Sequence, residues 1–156
     1  MKNNLIKLIP KSIRKVIKIV YNPIIVETSK IDYGEDIYPE ATEFMLEKLK
    51  ECNKLKGEMI EFGTFKGGTT LQLAKNTNKI VYSLDTFEGL PFKKEDNVPK
   101  FYQKSMYSDI DNVKKMLEEN KIINVILLKG LFKDTIPKLP DIKYCFAYVD
   151  CDLYEG

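Results

Sequence analysis

Apolar positions change their spacing several times along this chain, and each change marks an element. Leu5, Ile6, Leu8, Ile9, Ile13, Val16, Ile17, Ile19 and Val20 recur at near-helical intervals among lysines, interrupted by Pro10. Between Asn22 and Tyr38 the pattern lapses, punctuated by Pro23 and Gly34, which predicts a connecting segment. Pro39 suits the first turn of a helix reaching about Lys54, with Phe44, Leu46, Leu49 and Cys52 as its inner face and Glu40 and Glu43 near its positive end. After Gly57 the period shortens. Met59, Ile60 and Phe62 predict a strand ending at Gly63, a helix follows from about Gly68 to Lys75, and Ile80 to Leu84 is a second strand.

The segment Thr86 to Ser105 contains Gly89, Pro91 and Pro99 and little periodicity, the mark of a functional or disordered loop. Ser108 with Asp111 fits a capping box, and Ile110, Val113 and Leu117 carry a helical stripe to about Asn120. Val125 to Leu128 is a third strand, Gly130 to Pro140 a loop with one helical turn at most, and Tyr144 to Val149 a fourth strand. Strands alternating with helices over short connections require right-handed crossovers, which predicts an α/β fold with a mostly parallel sheet. Two regions result: a basic amphipathic start with its connector over residues 1–38, and a Rossmann-like domain over residues 39–156.

Composition narrows the chemistry. The 156 residues are 44% hydrophobic and 31% charged, as in one soluble globular domain. Histidine is absent, which excludes Ser-His-Asp hydrolysis, Cys-His proteolysis and His-ligated zinc within the chain. Any general base is therefore a carboxylate, Lys, Tyr or Cys. Cys52, Cys145 and Cys151 are odd in number and form no C-x-x-C pair, so neither a disulfide scaffold nor a zinc ribbon is expected, and the cytoplasm is the default compartment.

The net charge of +2 conceals an asymmetry: Lys2, Lys7, Lys11, Arg14, Lys15 and Lys18 precede any acid, leaving 19 basic residues against 23 acidic ones elsewhere. The body is mildly acidic, and nucleic acid is not an expected partner. Residues 1–20 are too charged to span a membrane and lack a small-residue cleavage site. They fit a helix packed on its own domain, as most amphipathic helices are, with peripheral contact to anionic lipid as the alternative.

Three motifs carry chemistry. Glu61-Phe-Gly63-Thr-Phe-Lys-Gly67-Gly68-Thr-Thr70 lies between the first strand and a helix, where a glycine turn lets backbone N–H groups approach a ligand. Gly63 and Gly68 have the spacing of a Walker loop, but Thr69 stands where its lysine belongs. The dinucleotide pattern G-x-G-x-x-G is missing as well. An acid followed by G-x-x-x-G remains, the arrangement of methyltransferases using S-adenosylmethionine, whose cationic groups favour a carboxylate; alone, such a turn serves equally as a structural loop. Asp85 ends the second strand 22 residues after Gly63, near the roughly 20-residue offset of a ribose-binding acid. Asp150 and Asp152 end the fourth strand; if its geometry persists they share a face, where two carboxylates suit a hard cation such as Mg²⁺ and one can take a proton. The plain alternative is an acid-rich exposed strand end, against which Phe146, Tyr148 and Val149 argue.

Glu61-Phe62-Gly63 with Gly67-Gly68, Asp85-Thr-Phe-Glu-Gly-Leu-Pro91, Lys129-Gly-Leu-Phe132-Lys-Asp-Thr135-Ile-Pro137 and Val149-Asp-Cys-Asp-Leu-Tyr154 together resemble the ordered motifs of the macrocin O-methyltransferase (TylF) family. The resemblance runs from about residue 40 to 156 and is most specific in the second and fourth motifs. It implies a class I enzyme that methylates sugar hydroxyls of glycosylated metabolites with S-adenosylmethionine and Mg²⁺. By the same resemblance Glu61, Gly63 and Gly67 line the methionine end of the cofactor, Asp85 binds its ribose, and Phe132 lies near the adenine. Asp150 is then a Mg²⁺ ligand and Asp152 the general base, or the two exchange roles.

The family adds an acidic pair after a fifth strand and orders its sheet 3-2-1-4-5-7-6. This sequence is expected to supply the cofactor half, with strands one to four present, and only the beginning of the acceptor half. An unpaired fourth strand leaves an edge open to another chain, and a homo-oligomer is expected of a full-length form. Two rivals stay open: a Rossmann-type NAD(P)-dependent oxidoreductase, and a non-catalytic binding or membrane-associated fragment.

Overall fold

A computed structural model describes residues 39–90 and 106–151. Residues 1–38, on which the basic helix and its connector were expected, lie outside these, as do most of the long loop and Asp152. In chain order the elements are α1 (Pro39–Cys52), β1 (Glu58–Phe62), α2 (Gly68–Lys75), β2 (Val81–Asp85), α3 (Ile110–Glu119), β3 (Val125–Lys129), α4 (Phe132–Thr135), a 3₁₀ turn (Ile136–Lys138) and β4 (Tyr144–Val149). All strand pairs are parallel, in the order β3-β2-β1-β4. The chain therefore winds outward from β1 to β3 and then returns to the other side of β1. The crevice between β1 and β4 is the topological switch point, where open α/β sheets bind ligands beyond the carboxyl ends of their strands.

The register explains the two faces. Ile60, Tyr82 and Ile126 align across β1, β2 and β3, as do Phe62, Leu84 and Leu128. On that face Ile60, Phe62 and Leu84 bury against Ile136 and Leu139 from the turn after α4. On the other, Met59 and Val81 meet Met45, Leu49 and Cys52 of α1 and Leu73 and Ala74 of α2. A register shift in β4 between the partners of Glu58 and Met59 accommodates Cys145 as an extra residue, so that Cys145 and Phe146 both join the α1 side.

Two local expectations are corrected. The inner stripe of α1 is Met45, Leu49 and Cys52, while Phe44 is 47% exposed with the Lys48 ammonium 5.4 Å above its ring. A spacing of four and then three residues from Met45 puts these side chains on one face, and Phe44 falls about 100° away, so helical phase outweighs the bulk of the ring. The cap of α3 is Asp109, whose side chain accepts a hydrogen bond from the Asp111 N–H at 2.9 Å; Ser108 is buried and its hydroxyl has no hydrogen-bond partner among the described residues. The extended backbone of Asp109 (φ −104°, ψ 119°) aims its carboxylate at the N–H two residues on, which takes the role expected of Ser108.

Candidate functional site

Near the carboxyl end of β1, a strand buried on both faces, Glu61 is wholly inaccessible to solvent. The parallel register sets it beside Ser83 of β2, and α2 brings Thr70 over it. Its Oε2 accepts hydrogen bonds from the hydroxyls of Thr70 and Ser83, each at 2.5 Å. Ser83 has one proton and gives it to Glu61, so Thr64, 2.6 Å away in the glycine turn, is the donor to Ser83. Glu61 Oε1 is buried with no partner among the described residues. Burial, reinforced by the charges of Asp150 and Asp85 and opposed by the two hydroxyls, pushes this carboxyl up to about 7.

The turn that follows is shaped by close approaches. Gly63 has φ +97°, and a Cβ there would lie 2.0 Å from the carbonyl oxygen of Asp150. Phe65 takes a left-handed backbone (φ 48°), and its N–H donates to Asp85 Oδ2 at 2.8 Å. Gly67 (φ +82°) presses on α3: an added Cβ would sit 2.7 Å from Met116 Cε and 3.0 Å from Val113 Cγ1. Gly68, which opens α2, has nothing within 4 Å of that position. Gly63 and Gly67 are thus required by backbone and helix packing, and Gly68 is the glycine facing open space. The N–H groups of Gly68, Thr69 and Thr70 lack intrahelical acceptors, and no side chain caps them from Gly67.

Asp85, half-buried at the end of β2, holds two turns. Its Oδ1 accepts from the Phe87 N–H at 2.8 Å while its Oδ2 takes the Phe65 N–H. The Thr86 hydroxyl also approaches Oδ1 at 3.4 Å, so the carboxylate is fixed in place and its acceptor capacity remains chiefly at Oδ2. The second turn is closed by the Thr86 hydroxyl on Gly89 O (2.7 Å) and tied to β3 by the Glu88–Lys129 ion pair (2.9 Å). Phe132 lies on the opposite face of the sheet from Glu61, its ring edge-on to Phe62 at 5.4 Å. Asp150 follows β4, and its N–H donates to Phe62 O at 2.9 Å, extending the ladder by one bond. Tyr148 is held above its ordinary value by burial, with the Asp150 and Glu61 charges adding to the effect, and so stays neutral near pH 7.

The structure therefore gathers Glu61, Gly63, Gly67, Asp85 and Asp150 around the carboxyl ends of β1, β2 and β4, with Phe132 beneath on the other face. Thr64, Gly68 and Thr70, which lie in the glycine-turn motif without a site role assigned from sequence, and Ser83, which lies in no motif, also belong to this region; a hydroxyl pairing made by strand register leaves no local signal. A groove of 420 Å³ lined by Asn53, Lys75, Asn76, Thr77, Asn78 and Lys79 lies where α2 ends and β2 begins, at the opposite end of the sheet from these groups.

The residues suit S-adenosylmethionine through the carboxylate of Asp85, fixed by two backbone N–H groups, and the first-turn N–H groups of α2, which no side chain at Gly67 caps. Among the described residues no group of three His, Cys, Asp or Glu side chains is placed to share an ion. Among the described residues no helix is long and apolar enough to cross a membrane.

A four-stranded parallel sheet with its switch point at β1 and β4, a glycine turn after β1 and an acid closing β2 define the cofactor-side half of a Rossmann-like methyltransferase fold. Residues 41–156 match the family model for macrocin O-methyltransferase (TylF), and the chain belongs to that family. Demethyldecarbamoylnovobiocin O-methyltransferase of Streptomyces niveus is 24% identical over 132 residues, which cover 71% of this chain and 50% of that enzyme. The O-methyltransferase NovP aligns at a TM-score of 0.56 and 23% identity, covering 71% of this chain and 55% of that one. CalS11, a calicheamicin methyltransferase, aligns at 0.58 and 18% identity over 92% of this chain and 67% of its own. These structures share the fold, and the chain spans about half the length of the curated relative it matches.

Proposed function

We propose that this chain carries the S-adenosylmethionine-binding part of an O-methyltransferase whose acceptor is a sugar hydroxyl on a glycosylated small molecule. The observation that carries the cofactor is Asp85, a carboxylate at the carboxyl end of β2 held in place by the Phe65 and Phe87 N–H groups. There it accepts hydrogen bonds from the ribose hydroxyls. The open N–H groups of α2 receive the methionine carboxylate, and the acidic surroundings of Glu61, Asp85 and Asp150 favour the cationic end. Phe132 offers an aromatic edge for the adenine.

When bound, S-adenosylmethionine supplies an electrophilic methyl group. The protein's part is alignment for in-line displacement and removal of the hydroxyl proton. With no histidine in the chain, the base is assigned to Asp152, as the family resemblance implies, with Asp150 two residues before it in the sequence. Asp150 is also a candidate oxygen donor to Mg²⁺, as the family resemblance implies. The acceptor class follows the family, whose Streptomyces niveus relative is named for demethyldecarbamoylnovobiocin. Calorimetric titration with S-adenosylmethionine and with NAD⁺ tests the reading: affinity for the first alone supports it, and affinity for NAD⁺ alone returns the chain to the oxidoreductase class.

A further inference from the structure

The turn at residues 63–67 and the turn at residues 86–89 come from separate stretches of chain, yet both pack on α3, where Val113 is shared between them and Met116 adds a contact to Gly67. Val113, in the middle of α3, is 2% exposed. Gly67 sits so close above it that an added Cβ would lie 3.0 Å from Val113 Cγ1. Phe87, equally buried, belongs to one cluster with Val113 and Leu117. On their outer side the same turns are joined again, since the Phe65 and Phe87 N–H groups bind the two oxygens of Asp85 at 2.8 Å each.

Phe65 and Phe87 both hold left-handed backbones, with φ of 48° and 55°. Non-glycine residues keep that conformation only where their surroundings over-determine it. Here Asp85 acts from the outside and α3 from beneath. Asp85 couples the turns on one side and the α3 contact couples them on the other.

We propose that Val113 is a positioning residue that locks the two cofactor turns into one unit, without touching ligand. The proposal rests on the cofactor reading above and says what holds that site in shape. Substituting Val113 removes the support under Gly67 and Phe87 together, whereas substituting Leu117, in the same cluster but not among the atoms nearest Gly67, loosens only the Phe87 side.

Amide hydrogen exchange on the whole chain tests this without ligand. Val113→Ala is expected to speed exchange at both the Phe65 and Phe87 amides at least tenfold relative to the Met59 and Val81 amides of the ladder. Leu117→Ala is expected to speed Phe87 alone. Val113→Thr, which keeps the branching but buries a hydroxyl in the cluster, serves if Val113→Ala does not fold: it is expected to speed exchange at both amides, and an effect on only one or on neither would refute the coupling. Equal effects of the alanine variants on the two amides, or a Val113→Ala effect confined to Phe87, overturn the proposal. In parallel, S-adenosylmethionine affinity is expected to fall at least tenfold in Val113→Ala and less in Leu117→Ala. Failure of the wild-type chain to bind S-adenosylmethionine sinks the cofactor reading, while the exchange data still decide the coupling.

Discussion

Gly63 and Asp150 meet backbone to backbone at the switch point, where a Cβ on the glycine would lie 2.0 Å from the aspartate carbonyl oxygen. The contact fixes how closely β1 and β4 approach just where ligands enter such sheets. It also explains why the glycine has φ +97°.

Gly63→Ala therefore adds a backbone collision to a disfavoured dihedral. It is expected to destabilise the fold by about 2 kcal/mol or more. Urea unfolding followed by far-ultraviolet circular dichroism checks this; a variant as stable as wild type would show that β4 can move away at little cost.

Asp85→Ala removes the proposed ribose acceptor and also strands two backbone N–H groups. S-adenosylmethionine affinity is expected to fall at least tenfold, or about 1.4 kcal/mol. Stability is expected to fall by about 1 kcal/mol, at the low end for unsatisfied donors because the site is half-buried. Isothermal titration and denaturant unfolding separate the two effects, and unchanged affinity in a folded variant would remove Asp85 from the cofactor site.

The Glu61 carboxyl gives a pH dependence of definite sign. Burial raises it from an ordinary 4.5 to about 7. Between those values the native chain binds more protons than the unfolded one, so this group lowers stability progressively as pH rises through the window. Below the window it exacts no penalty, and above it the penalty levels off. Glu61→Gln keeps the shape and an acceptor for Thr70 and Ser83 but does not ionise. The wild-type urea midpoint is expected to fall relative to that of the variant between about pH 4.5 and 7. Parallel curves would mean that Glu61 is already ionised in the native chain at low pH.

In any form of the protein that turns over, Asp152→Asn is expected to abolish methyl transfer while leaving S-adenosylmethionine affinity nearly intact. Rapid-quench assays of product together with calorimetry distinguish the roles. Near-normal turnover would exclude Asp152 as the base.

Much of the fold was legible along the chain. Period and punctuation located β1, β2, β3 and β4 and the helix from Gly68 to Lys75, because short apolar runs bounded by glycine and alternating with helices have few other ways to bury themselves. On α1 Leu49 and Cys52 face the core as expected but Met45 takes the place of Phe44, and the cap of α3 moves from Ser108 to Asp109, since adjacent apolar or polar residues compete locally and packing selects between them. At the site, Glu61 and Asp85 stood out as acids ending strands, but their partners did not.

The sequence by itself determined the element types, the α/β class, the exclusion of histidine chemistry and the motifs that carry family membership, all of which depend on residue identity and near-neighbour spacing. Only the tertiary structure decided that Glu61 is met by Ser83 and Thr70, that both oxygens of Asp85 hold backbone N–H groups, and that Gly67 is a glycine because α3 lies against it. Those contacts join residues brought together by strand register and helix packing. The free energy that selects one register over another comes from the assembled sheet and its two covered faces, and no single stretch of chain contains it.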